Sequence, residues 1–532
     1  MTAVARASER ARARPKPGPA GREATPVTRT RPPLALVAAA LVAASAAAIP
    51  LVYLVVRAGE TGAATIIQTL TRGRVLEYAA NSLTLALATT AAALVLGTAV
   101  AVVLTRIRVP FPRTWLLISA LPLAVPSYLA GYGWLVSIPS LSGFLPSWLL
   151  LTAVTVPYVT LPVAAALRSA TGDLEGVARS LGRGPLAAFF VATWPQVRPA
   201  AIAGSLLVAL YSLSEFGLVA MLRYPTLTWG INSAYSASFD RAQAATLALL
   251  LVVLALIVVA GERGARRQLP RQAARAVRPR PVRRGMLVAL LPVVAVAPVV
   301  GVAVPLFGLA TRLVQAETLR DIDVPRLLSA VGATLGVAVA AAVLATLLAL
   351  PIAALAARYR GRFVSAIESV GYLGHALPGI VVGLSLVFFS LAVVPVLYQG
   401  VAVLVFAYAV LFMPKAIGTM RAGLGDVPPR LVSVARTTGV SPLAAWWRVT
   451  VPLALPSVGV GSLLVAIATM KELPATLLLR PTGIDTLATE LWNRTVVFEF
   501  GAAAPYAALL VLLAAVPAMI LSGVSTTAKE EL

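Results

Sequence analysis

Two stretches, SEFGLVAMLR from Ser214 and KELPATLLLR from Lys471, place charged side chains inside long apolar runs. A carboxylate there is costly unless it meets a donor, a cation or a water-filled cavity. Glu215, Lys471 and Glu472 therefore suit one of two tasks. They can hold a gate shut through partners on neighbouring helices, with Arg480 near the outer face, or they can line a route and draw in a hard cation through oxygen donors. Pro474, two residues after Glu472, removes a backbone N–H and loosens the helix, leaving groups that tolerate a cavity but not lipid. Little else in the chain could do chemistry. Cysteine is absent, His375 is the single histidine, and no nucleophile triad or Cys/His cluster is visible, so neither catalysis nor a resident metal is expected. A lone imidazole is expected to be packed.

The elements that carry these residues must cross a membrane. Of 532 residues, 59% are hydrophobic and only 12% charged, with a mean hydropathy of +0.89, far from the balance of a soluble domain. Apolar runs of about 20 residues, the length a helix needs to span a bilayer, recur from Leu34 almost to the C-terminus. They lack the alternation of barrel strands. The pattern predicts an all-α integral membrane protein with about twelve transmembrane helices, among them spans near 114–136, 199–221, 363–394 and 453–478. The net charge of +24 sits in the loops and tails, which speaks against a nucleic-acid surface. Assigned to alternate sides, about 33 Lys and Arg fall on one face and about 10 on the other, so both termini are expected in the cytoplasm.

The plan is written twice. At an offset of 257, nine of the eighteen positions 178–195 are identical to 435–452, and Pro199, Glu215 and Arg223 meet Pro456, Glu472 and Arg480. An offset of 252 pairs Pro126 with Pro378. Six spans separate equivalent points, so the repeats are parallel and related by an axis along the membrane normal. The expected organisation is a basic tail 1–33, a first half 34–263 with its core about 78–263, an Arg/Pro-rich linker 264–285, and a second half 286–526 with its core about 327–524. Both repeated segments lie on the cytoplasmic side. Gly182 and Gly439 suit left-handed helix stops, and Ser441-Pro442 reads as an N-cap followed by a first-turn proline. Each copy is predicted to form helix, sharp turn, helix: a lever that a partner could grip.

These segments resemble those of the type I permeases of binding-protein-dependent ABC importers, whose hallmark is Glu-Ala-Ala, three residues, Gly, nine residues, Ile, one residue, Leu-Pro. Ala178, Gly182 and Pro195 match it, as do Ala435, Gly439, Val449 and Pro452. The family's glutamate position holds Gly176 and Ser433, with Glu175 one place early in the first copy. The run from Lys471 is similar to a signature of the ferric-iron class, in which both halves are fused. The resemblance implies contact with two copies of an ABC ATPase through Glu175, Ala178, Arg179, Gly182, Ala435, Arg436 and Gly439, an extracytoplasmic substrate-binding protein, and a site in the inner membrane among lipid. It places Glu215, Lys471, Glu472 and Pro474 at a gate or path. None of the four lysines follows a glycine, so the chain lacks a phosphate-binding loop, and ATP and magnesium are expected on the partner alone. Thiamine, polyamine and phosphonate permeases are close relatives of that class. A twelve-helix secondary transporter would share the span count but has no use for the elbows.

Overall fold

The computed structural model describes residues 32–170, 172–266, 281, 283–315, 318 and 322–530. All of the tail 1–33 except its last two residues, and most of the linker 264–285, lie outside them. Among the described residues, nine helices are long and apolar enough to cross a membrane, and ten if Pro112–Leu123 and Ser127–Ser137 form one span bent by 88°. Two shorter apolar helices, Gly379–Val393 and Phe500–Ala515, accompany them, and several of the expected spans are interrupted. The ninth expected span is two pieces, Arg362–Gly371 and Gly379–Val393. The last falls on the helix Phe500–Glu530.

The interruptions have local causes and recur in both halves. Pro126 and Pro378 each cap the second piece of a broken third span, at φ −61° and −58°. Each proline lacks a backbone donor and pushes the residue before it out of helical geometry; Leu377, at ψ 123°, shows the effect. The fifth spans, expected near 199–221 and 453–478, also break. Trp194–Ser214 gives way to Gly217–Met221, and Val451–Met470 to Pro474–Leu479.

Within each half the second, fourth and fifth spans form the body. Gly73–Arg106 packs on Phe144–Ser169, and Val324–Arg358 on Val401–Asp426. Small residues let these helices approach, as membrane bundles require where lipid is as apolar as leucine. A Cβ on Gly204 would lie 2.6 Å from the Tyr158 carbonyl, and one on its repeat mate Gly461 would lie 3.3 Å from Ala416 Cα.

The first helix of each half leaves its own body. Leu34–Glu60 packs on Val324–Arg358 and Gly379–Val393 of the second half, where Ala40, Ala43, Ala44 and Ala47 join Ala338, Ala342, Ala345 and Ala349 in one buried cluster. Arg284–Pro298 and Val304–Leu313 pack on first-half helices in return. Exchange of these two arms ties the halves together around the core ranges.

Candidate functional site

The two broken fifth spans share a carboxylate rather than a proline. Glu215 Oε1 accepts the backbone N–H of Leu218 at 2.9 Å, and Glu472 Oε1 accepts that of Ala475 at 3.1 Å. Leu218 and Ala475 are repeat mates. Each glutamate therefore caps the short helix after its break, satisfying an N–H that has no partner within the helix and placing negative charge at a helix N-terminus. Pro474 opens the second short helix, whereas Gly217 occupies the equivalent place in the first. The proline assists one break and is not required for the other.

Around these caps the halves meet. Glu215, only 7% exposed, also accepts from Ser127 Oγ at 2.8 Å, the first residue after the Pro126 break. In the second half the matching residue is Gly379, where an added Cβ would collide with Glu472 Oε1. Lys471 crosses between halves: its ammonium donates to the carbonyls of Leu123 and Ala124, at 3.3 and 3.4 Å, where the first-half third span breaks. Tyr128 of the first half donates back to the Lys471 carbonyl at 3.3 Å. A Cβ on Gly217 would touch Tyr128 Cβ at 2.8 Å and Leu473 at 3.3 Å. Four helix breaks thus pack into one layer.

Arg480, expected near the outer face among the partners of Glu472 and Lys471, bonds to neither of them. It pairs with Asp485. Farther along, the buried Glu490 accepts from Arg326 Nε at 2.7 Å and Arg494 Nε at 3.2 Å, and Arg494 also donates to Tyr506 at 3.3 Å. Arg223, the repeat mate of Arg480, stands over the Phe498 ring at 5.2 Å. His375 is exposed rather than packed; it lies in the short helix Leu373–Ala376 between the two longer pieces of the broken ninth span. Among the described residues no three His, Cys, Asp or Glu side chains cluster as metal ligands.

The repeated segments form matched elbows. Gly172–Ser180 ends with Gly182 at φ +82°, and Pro429–Thr437 ends with Gly439 at φ +86°. Arg183 N–H donates to the Ala178 carbonyl at 3.2 Å and Gly182 N–H to that of Arg179 at 3.0 Å; Val440 to Ala435 and Gly439 to Arg436 repeat the pair at 3.3 and 3.1 Å. This is the Schellman stop, which needs a left-handed residue four positions after the carbonyl receiving the longer bond. The spacing Ala, three residues, Gly is that geometry. Ala178 buries its methyl against Ala188 and Ala192. Ser441 Oγ accepts Ala444 N–H at 3.3 Å, as an N-cap should, and each elbow then enters its fifth span through a π-turn, Phe189–Thr193 or Trp446–Thr450.

The exposed side of the elbows is also repeated. Leu174 and Val177 in one copy, Leu431 and Val434 in the other, are exposed apolar residues one turn apart, and Arg179 and Arg436 stand exposed beside them. Glu175 faces inward, accepting from Thr193 Oγ1 at 3.2 Å and bracing the elbow across its turn. Ser127, Glu490 and Arg326 had no place in the sequence reading. The signal for Ser127 was its position directly after a repeated proline; Glu490 and Arg326 lie 164 residues apart, beyond any local pattern.

Residues 349–527 match the model of the family described as "Binding-protein-dependent transport system inner membrane component". The Fe(3+)-transport system permease protein FbpB 2 of Haemophilus influenzae is 32% identical over 498 residues, covering 92% of this chain and 98% of the relative. The molybdenum transport system permease protein ModB of Mycobacterium tuberculosis is 30% identical over 244 residues, 43% of this chain and 90% of the relative. The putrescine transport system permease protein PotI of Escherichia coli is 32% identical over 157 residues, 28% of this chain and 56% of the relative. With two elbows, two sets of helix breaks and near full-length similarity to one permease, the chain belongs to the family of binding-protein-dependent transport system inner membrane components, as an ABC importer permease.

Proposed function

We propose that the chain forms the translocation path of an importer of ferric iron. Two copies of a separate ATPase subunit grip the elbows, and an extracytoplasmic substrate-binding protein delivers the cargo. The observation that carries the coupling is the elbow itself, built twice with the same backbone bonds and the same exposed Leu, Val and Arg. A structural loop has no reason to repeat its exposed face. The iron assignment follows the ferric-iron permease that resembles this chain over nearly its whole length.

In this reading the elbows, the tail 1–33, the linker 264–285 and both termini are cytoplasmic, and the chain is a multi-pass protein of the inner membrane. ATP and magnesium act on the partner subunits; this chain needs no cofactor. Nucleotide-driven closure of the two ATPases draws the elbows together. Because helices move as units, the fifth spans carry that motion to the layer of breaks, where Lys471 holds the halves in contact through carbonyls rather than through a buried ion pair. Separation there opens the path outward, and hydrolysis restores the inward state. The capped glutamates favour the gate reading over cation ligation. Permeases for molybdenum and putrescine among the relatives keep other cargoes as the second reading, whereas family membership removes the secondary transporter.

Reversing charge on the exposed elbow arginines tests the grip. Arg179→Glu combined with Arg436→Glu is expected to abolish co-purification of the ATPase and lower uptake at least about tenfold, since charged contacts at an interface are worth a few kcal/mol. Membrane levels of the chain should be unchanged. Normal ATPase retention and uptake would remove the elbows from the interface.

A further inference from the structure

The gate described above leaves Lys415 unused. It lies in the helix Val401–Asp426, fourteen residues after its start and eleven before its end, so it is about 21 Å and 17 Å from the two ends at 1.5 Å per residue. An ionisable group at such depth faces protein or water, not lipid.

Its neighbours show which way it points. Tyr408, Phe412 and Lys415 follow one another on a single helix face. The Tyr408 hydroxyl bonds to Thr476 in the short helix after the Lys471-Glu472 break, and Lys415 Nζ stands 4.8 Å from the Phe412 ring centre. Glu472 and Lys471 are the charges that act electrostatically with it. Exposure rises along this face from 1% at Tyr408, through half-buried Phe412, to exposed Lys415, toward the end that leads into the elbow Pro429–Thr437. The face is thus closed at Tyr408 and accessible on the elbow side. The repeat mate of Lys415 is Tyr158, so only one half supplies a cation here.

The free valences of the charged groups around this face decide what they can hold. Both oxygens of Glu215 are engaged, by Leu218 N–H and Ser127. Glu472 caps Ala475 through Oε1 and acts electrostatically on Lys415, and Lys471 is turned to the Leu123 and Ala124 carbonyls. Among the described residues Lys415 has neither an ion pair nor an oxygen acceptor; the Phe412 ring is its neighbour. An ammonium with free donors repels a bare trivalent cation and binds anionic oxygen.

We propose that Lys415 reads anionic oxygens on the cargo as it leaves the gate, so that iron crosses in a complex bearing oxyanion or carboxylate ligands rather than as bare Fe³⁺. The proposal rests on the permease reading and narrows its cargo class.

Equilibrium dialysis of the purified full-length chain against radiolabelled phosphate, molybdate or citrate tests the site without any partner subunit. Lys415→Met is expected to weaken binding of the preferred anion about tenfold or more, the value of one charge-assisted contact, and Lys415→Arg to restore it to within about threefold. Preference for phosphate or molybdate assigns an oxyanion; preference for citrate assigns a polycarboxylate chelate. In cells with the intact importer, Lys415→Glu should abolish uptake of radioactive iron, although an acid in the path would help a bare cation. Failure of the wild-type chain to bind all three anions, equal binding by Lys415→Met, or undiminished uptake by Lys415→Glu would overturn the proposal. Uptake that proves independent of ATP would sink the permease reading instead and leave the dialysis result standing.

Discussion

Replacing Gly182 and Gly439 together by valine is expected to reduce uptake at least about tenfold while the chain still inserts, because a left-handed β-branched residue costs on the order of 1–2 kcal/mol or more at each elbow. Both glycines sit at positive φ with open space around them, so the demand is on backbone geometry and not on volume. Valine would pull the residue out of the left-handed region, break the two Schellman bonds and redirect the helix that carries the exposed Leu, Val and Arg. The ATPase would then hydrolyse ATP without moving cargo. Asparagine, which tolerates this conformation, should retain most activity. Uptake and ATPase rate measured on the same vesicles separate uncoupling from loss of the complex; equal uptake by the valine variant would show that the stop is dispensable.

Leucine at Glu215 and Glu472 is expected to have the next largest effect, and glutamine a small one. Each carboxylate accepts a backbone N–H that would otherwise be buried without a partner, a loss of about 1–3 kcal/mol per site. At Glu215 the Ser127 hydroxyl is orphaned as well. Leucine should therefore loosen the layer of breaks, lower thermal stability and cut uptake about tenfold or more, since each 1.4 kcal/mol is a factor of ten. Glutamine keeps an acceptor oxygen at the right distance and should hold uptake within about threefold. If the two acids instead ligate a cation, glutamine will be as damaging as leucine, and the melting temperature will not follow the uptake.

The elbows could be read from the sequence because their geometry is local: a helix stop, a left-handed glycine and a capped restart are set by residues within about ten positions, and repetition separated them from ordinary loops. Glu215 and Glu472 were legible as costly residues, but their task was not. Hydrophobic periodicity cannot tell a continuous span from one that stops at Ser214 and restarts at Gly217, since both are apolar throughout. Pro474 drew attention to one break; Gly217, with no such signature, concealed the other. Counting apolar runs locates spans without showing which are broken, because broken and unbroken helices have the same composition. The exchanged arms Leu34–Glu60 and Arg284–Leu313 were hidden for another reason. The alanine-rich face of the first and the Val-, Gly- and Pro-bearing face of the second fit any close-packed membrane helix, so the partner is chosen by tertiary packing. Lys415 did carry a signal, as one of four lysines and the only charge in its span before Arg421, but only its position beside the break gave it a role.

Vesicles containing the chain, its ATPase and its binding protein offer the most direct measurement, with internal ATP supplied or withheld and proton or sodium gradients imposed independently. Iron should accumulate only with ATP and with all three components present, whatever the ion gradient. Accumulation driven by a gradient through this chain alone would contradict the claim that paired elbows transmit work from a separate motor to the gate.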